Sequence, residues 1–163
     1  MYLLDANTLI EAHNTFYPVD RVKPFWDWVH AQAEAGFIKI PFEIHSEFTG
    51  GGLHVQWIND TDVKSALALD ETADPELFPK VINDGYQGGD PAFDDIEHTK
   101  YGNDPFIATY ALADPKNRTV VTREKSKRTQ RLENTKLPDA CDDLGLSWID
   151  DFELYRELNF TVT

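Results

Sequence analysis

The sequence predicts an α/β fold, a single domain with a mostly parallel central sheet flanked by helices, on three observations. Apolar runs too brief for helices recur, and two of them end beside an acid: Tyr2-Leu3-Leu4 before Asp5, and Thr119-Val120-Val121-Thr122 before Glu124. Between them lie segments whose apolar residues return every three or four positions, the period of a helix with one buried face. A chain of 163 residues with 41% hydrophobic and 12% aromatic side chains is also long and apolar enough for one packed core, which excludes wholesale disorder.

Each element follows in order. Tyr2 to Leu4 reads as a buried strand, Asp5 closes it, and a helix starts at Ala6-Asn7-Thr8-Leu9. Pro18 and Pro24 punctuate a loop before a helix over 25–35, stopped by Gly36. Residues 37–41 read as a short strand, and 42–48 as a helix bearing Glu43 and Glu47, closed by Gly50-Gly51-Gly52. One longer helix over 55–69 turns Trp57, Ile58, Val63 and Leu67 inward. Around 70–102, Pro75, Pro79, Gly85, Gly88, Gly89 and Pro91 break the pattern, so an irregular acidic insertion with one or two short helices is expected. Asp104 reads as the N-cap of the next helix with Pro105 at its first position. Residues 119–122 form a second buried strand, 144–149 a last one, and 152–158 a C-terminal helix. This alternation is the signature of a parallel sheet.

Charge is distributed unevenly. The net charge of −14 argues, taken as an average, against a polyanionic partner. Yet eight of the fifteen basic residues fall between Lys116 and Lys136, opposed only by Glu124 and Glu133. Conversely, twelve acids face three lysines between Asp60 and Asp104, which reads most simply as a solvated acidic face. No apolar run approaches the ~20 residues of a membrane span, and no basic region precedes an apolar stretch at the N-terminus, so neither membrane nor signal peptide is expected. A lone cysteine, Cys141, excludes an internal disulfide and reads as buried packing. Cytoplasm is the expected address.

In parallel sheets the site lies beyond the carboxyl ends of the strands. Asp5 and Glu124 stand at two such ends, Asp104 at a helix start where the helix dipole offsets part of the negative charge, and Glu47 on the early helix is the natural fourth. Carboxylates meeting without an arginine between them make sense chiefly as a Mg²⁺ or Mn²⁺ site. With 29 acids in the chain, a scatter of solvated carboxylates is the competing reading. Arg123, Lys125, Lys127, Arg128 and Arg131 begin beside Glu124 and are expected to contact a phosphate backbone, against the plainer reading of an exposed basic loop. The five histidines lack HExxH or comparable zinc spacing. Trp26, Trp28 and Trp57 sit at helical spacing, which favours core over base stacking.

Three blocks carry a family resemblance. Leu3-Leu4-Asp5-Ala6-Asn7-Thr8-Leu9-Ile10, Asn103-Asp104-Pro105-Phe106-Ile107-Ala108-Thr109-Tyr110-Ala111 and Val120-Val121-Thr122-Arg123-Glu124 resemble the corresponding blocks of PIN-domain nucleases, the fold of VapC-type toxins. Phe25-Trp26-Asp27-Trp28, Glu47-Phe48 and Leu137-Pro138-Asp139-Ala140-Cys141 resemble an uncharacterised PIN-like branch, and together the blocks span most of the chain outside roughly 60–102. The resemblance implies one PIN-like domain and metal-dependent hydrolysis of phosphodiester bonds, usually in RNA. Asp5, Glu47 and Asp104 match the family's core acids, Asn7 its small polar residue beside the first aspartate, and Thr122 the closing threonine of the later strand. Glu124 replaces the more usual aspartate, and Glu43, one turn before Glu47, could substitute for it. A Mg²⁺- or Mn²⁺-dependent endoribonuclease, the toxin of a toxin–antitoxin pair, is the leading expectation, with a protein antitoxin and a homodimer as partners. A catalytically weak binding module of the same fold and a DNA-directed nuclease are the alternatives.

Overall fold

The computed structural model describes residues 1–87 and 98–162. Its core is a four-stranded, all-parallel sheet in the order β2-β1-β3-β4, formed by β1 (Tyr2–Leu4), β2 (Ile38–Lys39), β3 (Thr119–Val121) and β4 (Trp148–Ile149). Tyr2 lies opposite Ile38 on one side and Thr119 on the other, and Val120 lies opposite Trp148. Leu3, Leu4, Ile38, Val120 and Val121 are buried, as expected of strands covered by helices on both faces. The expected α/β fold with helices flanking a parallel sheet is therefore what the chain adopts. Among the described residues no helix is long and apolar enough to cross a membrane.

Helix α1 (Ala6–Glu11) runs on as a π-helical turn over Ala12–Phe16 before α2 (Lys23–Glu34). Pro24 belongs to the first turn of α2 rather than to the loop, where its missing N–H costs nothing. Trp26 is buried and its indole donates to the Tyr17 carbonyl at 2.7 Å, while its ring lies 4.7 Å from that of Trp57, so these tryptophans pack the core. Helix α3 (Phe42–His45) is shorter than expected and leaves Glu47 in the turn that follows it. The single helix expected over 55–69 is two, α4 (Leu53–Ile58) and α5 (Thr61–Leu67). Asp60 divides them, because its side chain accepts from the backbone N–H of Asp62 and Val63 and starts a new helix. Ala68 then turns extended and bridges to Ile40 beside β2.

The largest difference lies between 70 and 102. The expected irregular insertion contains α6 (Leu77–Tyr86) and α7 (His98–Tyr101), and the remainder of that stretch, 88–97, is outside the described residues. Helix α6 is no appendage. Phe78, Val81, Ile82 and Tyr86 are buried, and α6 packs on α8 (Asp104–Ala113) and α9 (Leu137–Leu144). Pro79 is tolerated because it falls in the first turn. Gly85 is required by close approach: a Cβ there would stand 2.9 Å from Leu144 Cδ1 and 3.5 Å from Ala140 Cβ. Gly85→Val should therefore lower the melting temperature, by the ~1–3 kcal/mol that overpacking typically costs. A melting curve unchanged from the parent would show that α6 and α9 are not in this contact.

The last strand expected over 144–149 is shorter, because 137–144 is helix α9, ended by Gly145 in the left-handed conformation at φ 70°. Helix α10 (Asp151–Glu157) closes the domain.

Candidate functional site

The strand order places one crevice. From β1 the chain crosses to β2 on one side, then returns past β1 to β3 and moves outward to β4 on the other. The two connections diverge between β1 and β3, and ligands of such sheets bind there, beyond the carboxyl ends. Asp5 and Thr122 are the residues immediately after those two strands. The Asp5 N–H donates to the Val121 carbonyl at 2.9 Å, and the Thr122 hydroxyl donates to Asp5 Oδ2 at 2.9 Å. The same hydroxyl accepts the Glu124 N–H at 3.2 Å, so both directions of its hydrogen bonding are used. Asp5 is 2% exposed.

Four of the nominated acids act on one another here. Burial, then the charges of Glu47 and Glu124, push the Asp5 carboxyl up to about 6, and the bond from Thr122 opposes that rise. Asp104 lies in the first turn of α8, one position inside the N-cap expected of it, with Asn103 as the cap residue. Burial raises it well above the usual carboxylate range, as do the charges of Asp5, Glu124 and Glu47, with Lys136 opposing. Glu47 is raised by burial, while a hydrogen bond from the Asn103 side chain favours its charged form. Glu43 takes no part: its carboxylate accepts from the Tyr110 hydroxyl at 3.1 and 3.2 Å. Asn7, in the first turn of α1, is exposed.

Glu124 has a structural task as well. Its Oε2 accepts the Leu137 N–H at 2.8 Å at the start of α9, and Lys136 Nζ stands 3.6 Å from Oε1. Asp104 and Glu124 line a pocket of about 320 Å³ whose wall is Lys127, Gln130, Glu133, Asn134, Thr135 and Lys136. A larger groove of about 750 Å³ runs beside Ile40 and Phe42, but its acids are Asp70 and Glu71, and Glu71 is paired with Arg118.

The basic segment divides. Arg123 pairs with the buried Asp151, its guanidinium 5.1 and 5.5 Å from the ring centres of Phe16 and Phe152, so it is committed to the protein rather than to a phosphate. Arg128 is spread over Asp139, Asp142 and Asp143, and Arg131 donates to the carbonyls of Arg128 and Gln130. Lys125 is exposed, and Lys127 reaches the pocket wall, joined there by Lys136.

Two buried hydroxyls without a partner were not singled out from the sequence. Tyr86, 1% exposed at the end of α6, has its hydroxyl without a partner among the described residues. Burial raises it well above the ordinary phenol value, as do the charges of Asp104, Cys141, Glu124 and Asp5. Thr135 Oγ1, on the pocket wall, is also buried without a partner among the described residues. The helical period of Phe78, Val81, Ile82, Gly85 and Tyr86 was the available signal for the first.

The donor set suits a hard divalent cation: carboxylate oxygens and, among the described residues, no arginine paired with Asp5, Glu47, Asp104 or Glu124. Among the described residues no three His, Cys, Asp or Glu side chains form a ready-made set around one point. Mg²⁺ does not need one, since it takes one or two carboxylates and keeps several waters.

The chain folds as an all-parallel α/β domain with Asp5 at the carboxyl end of its central strand and a pocket lined by Asp104 and Glu124. The chain belongs to the family described as Domain of unknown function (DUF4411), whose model matches residues 2–162. No curated protein and no solved structure matches it.

Proposed function

We propose that this domain is a Mg²⁺- or Mn²⁺-dependent nuclease acting on RNA. The observation that carries the reading is that Asp5, Glu47 and Asp104 are each raised by burial and that Asp5 and Asp104 are raised further by the neighbouring acids, with Asp5 at the carboxyl end of β1 beside β3. The sequence blocks that resemble PIN-domain nucleases supply these same acids, and from that resemblance the proposal extends to a toxin held by a protein antitoxin, and to a homodimer.

When bound, a divalent cation supplies an activated water and stabilises the departing oxyanion. The chain's own residues set the stage. Burial raises Asp5 and Glu47, and the hydrogen bonds from Thr122 and Asn103 oppose that rise and favour the charged forms. Lys127 and Lys136 give the pocket wall positive charge that a phosphate can approach. Cys141 offers no competing nucleophile, because burial pushes its thiol up and keeps it protonated.

The test is cleavage of single-stranded and structured RNA, with a DNA panel beside it. Asp5→Asn and Asp104→Asn should each reduce Mg²⁺-dependent cleavage by roughly 100-fold or more, since even groups that only orient a metal's ligands are worth 10–100-fold. Activity that survives EDTA, or either substitution, sinks the proposal. Glu124 favours a second reading, a binding module of the same fold, because the Leu137 N–H and Lys136 already occupy its carboxylate. Cation binding without cleavage of any nucleic acid would select it.

A further inference from the structure

We infer that residues 68–72 form an open edge of the sheet, to which an extended segment of a partner protein, with apolar and basic residues alternating, adds as a further strand. The inference stands on the backbone of this edge and holds whether or not the domain cuts RNA.

The sheet does not stop at β2. Ile40, just beyond β2, donates its N–H to the Leu67 carbonyl at 2.8 Å and accepts the Leu69 N–H at 3.3 Å, a parallel bridge centred on Ala68. That pairing uses the groups of Leu67 and Leu69 that face the sheet. The residues between and beyond them turn their backbone groups the other way. Accordingly, the Ala68 carbonyl and both backbone groups of Asp70 have no hydrogen-bond partner among the described residues. Ala68 and Asp70 are exposed while Leu69 between them is buried, so the alternation of a strand is kept. Such an edge is a template for another chain, and proteins ordinarily blunt or cover it.

Two further features suit this edge to an occupant. The groove of about 750 Å³ runs along the same residues, where Ile40, Leu69 and the ring of Phe42, 75% exposed, offer apolar surface beside the free backbone. The edge is also anchored. Arg118 grips the Glu71 carboxylate with both terminal nitrogens and donates to the Tyr110 carbonyl at 2.8 Å, and the Tyr110 hydroxyl in turn donates to Glu43. A receptor already held in place loses little freedom on binding. Added strands take affinity from main-chain bonds and specificity from alternate side chains. Charge describes those side chains. Between 60 and 76 the acids are Asp60, Asp62, Asp70, Glu71, Asp74 and Glu76, against Lys64 alone. Glu71 is taken by Arg118, whereas Asp70 lines the groove with no ion pair among the described residues. A lysine or arginine of the incoming strand meets Asp70, and its apolar neighbours settle on Phe42 and Leu69.

The probe is a short capped peptide of alternating valine and lysine, with one of alternating valine and glutamate as its counterpart. Titrated into the isotope-labelled full chain, the lysine peptide should shift the amide resonances of 68–72, and the glutamate peptide should bind more weakly. Asp70→Lys should weaken the lysine peptide about fivefold, the upper end for an exposed ion pair. Asp70→Pro, which removes the outward N–H, should weaken it by a similar factor; if that variant does not fold, the surface change Asp70→Lys still decides. No binding, shifts lying away from 68–72, or equal affinities for the two peptides overturn the inference. Self-association of the parent through the amides of 68–72 overturns it too, because a second copy then closes the edge.

Discussion

At neutral pH the metal-free Asp104→Asn protein is expected to melt on the order of 5 °C above the parent, against the usual direction of point mutations. Burial and three neighbouring carboxylates raise Asp104 well above its ordinary value. The folded state therefore holds that proton more tightly than the unfolded chain. The destabilising repulsion is absent in acid, grows as pH climbs through the unfolded value of ~4, and levels off above the raised folded value. Asp5 gives the scale: a carboxyl moved from 3.8 to about 6 corresponds to about 3 kcal/mol. For Asp5 the window runs from ~4 to about 6. Asp104 is the cleaner position, because the Asp5 side chain accepts from both the Thr122 hydroxyl and the Ala6 N–H, and an amide has only one oxygen to offer them. Mn²⁺ at a hundred times its Kd should stabilise the parent by about 2.7 kcal/mol and the variant by clearly less. Melting curves at neutral pH and near pH 4, with and without Mn²⁺, decide it. A gap that ignores pH, with equal metal shifts in both proteins, would mean these acids share no site.

Arg123→Ala should lower the melting temperature by roughly 6–12 °C, from a loss of about 3 kcal/mol. Asp151 is almost fully buried and its charge partner is Arg123, with the Tyr155 hydroxyl 3.5 Å away. Removing the guanidinium strands a carboxylate in the interior, and also takes its cover from the partly exposed rings of Phe16 and Phe152, which meet edge to face with centres 5.2 Å apart. Adding Asp151→Asn to Arg123→Ala should recover a large part of the loss, because the stranded charge is then gone. An Arg123→Ala protein that melts like the parent but loses RNA affinity would return Arg123 to the substrate-binding role its position beside Glu124 suggests.

Local pattern reveals some of these features and hides others. Asp5 was legible because an acid that directly follows a buried strand stands at the carboxyl edge of the sheet, where the crevice of a parallel fold opens. The sheet was legible from the same kind of signal: its strands are short apolar runs with helical segments between them. The inward role of α6 was hidden by Pro79 and Gly85, which look like breakers in sequence. In space, one sits in a first turn and the other marks a tight helix–helix contact. The single helix expected over 55–69 missed the capping power of Asp60. Arg123 and Asp151 are 28 positions apart, so nothing near Arg123 in the chain shows that its charge is already spoken for. Glu124 is similar, since the N–H it accepts belongs to a helix that begins only after the basic loop.

The bond from Thr122 to Asp5 has a consequence for how the chain reaches its native state. β1 and β3 are three residues each, so few backbone bonds distinguish their correct alignment from one displaced by a single residue. Successive side chains of a strand point to opposite faces, and such a slip would send Asp5 away from Thr122 and bury a carboxylate against the helices. The side-chain bond is therefore specific to the native alignment: a misaligned chain forfeits it, while a chain that has formed it has brought the ends of β1 and β3 together.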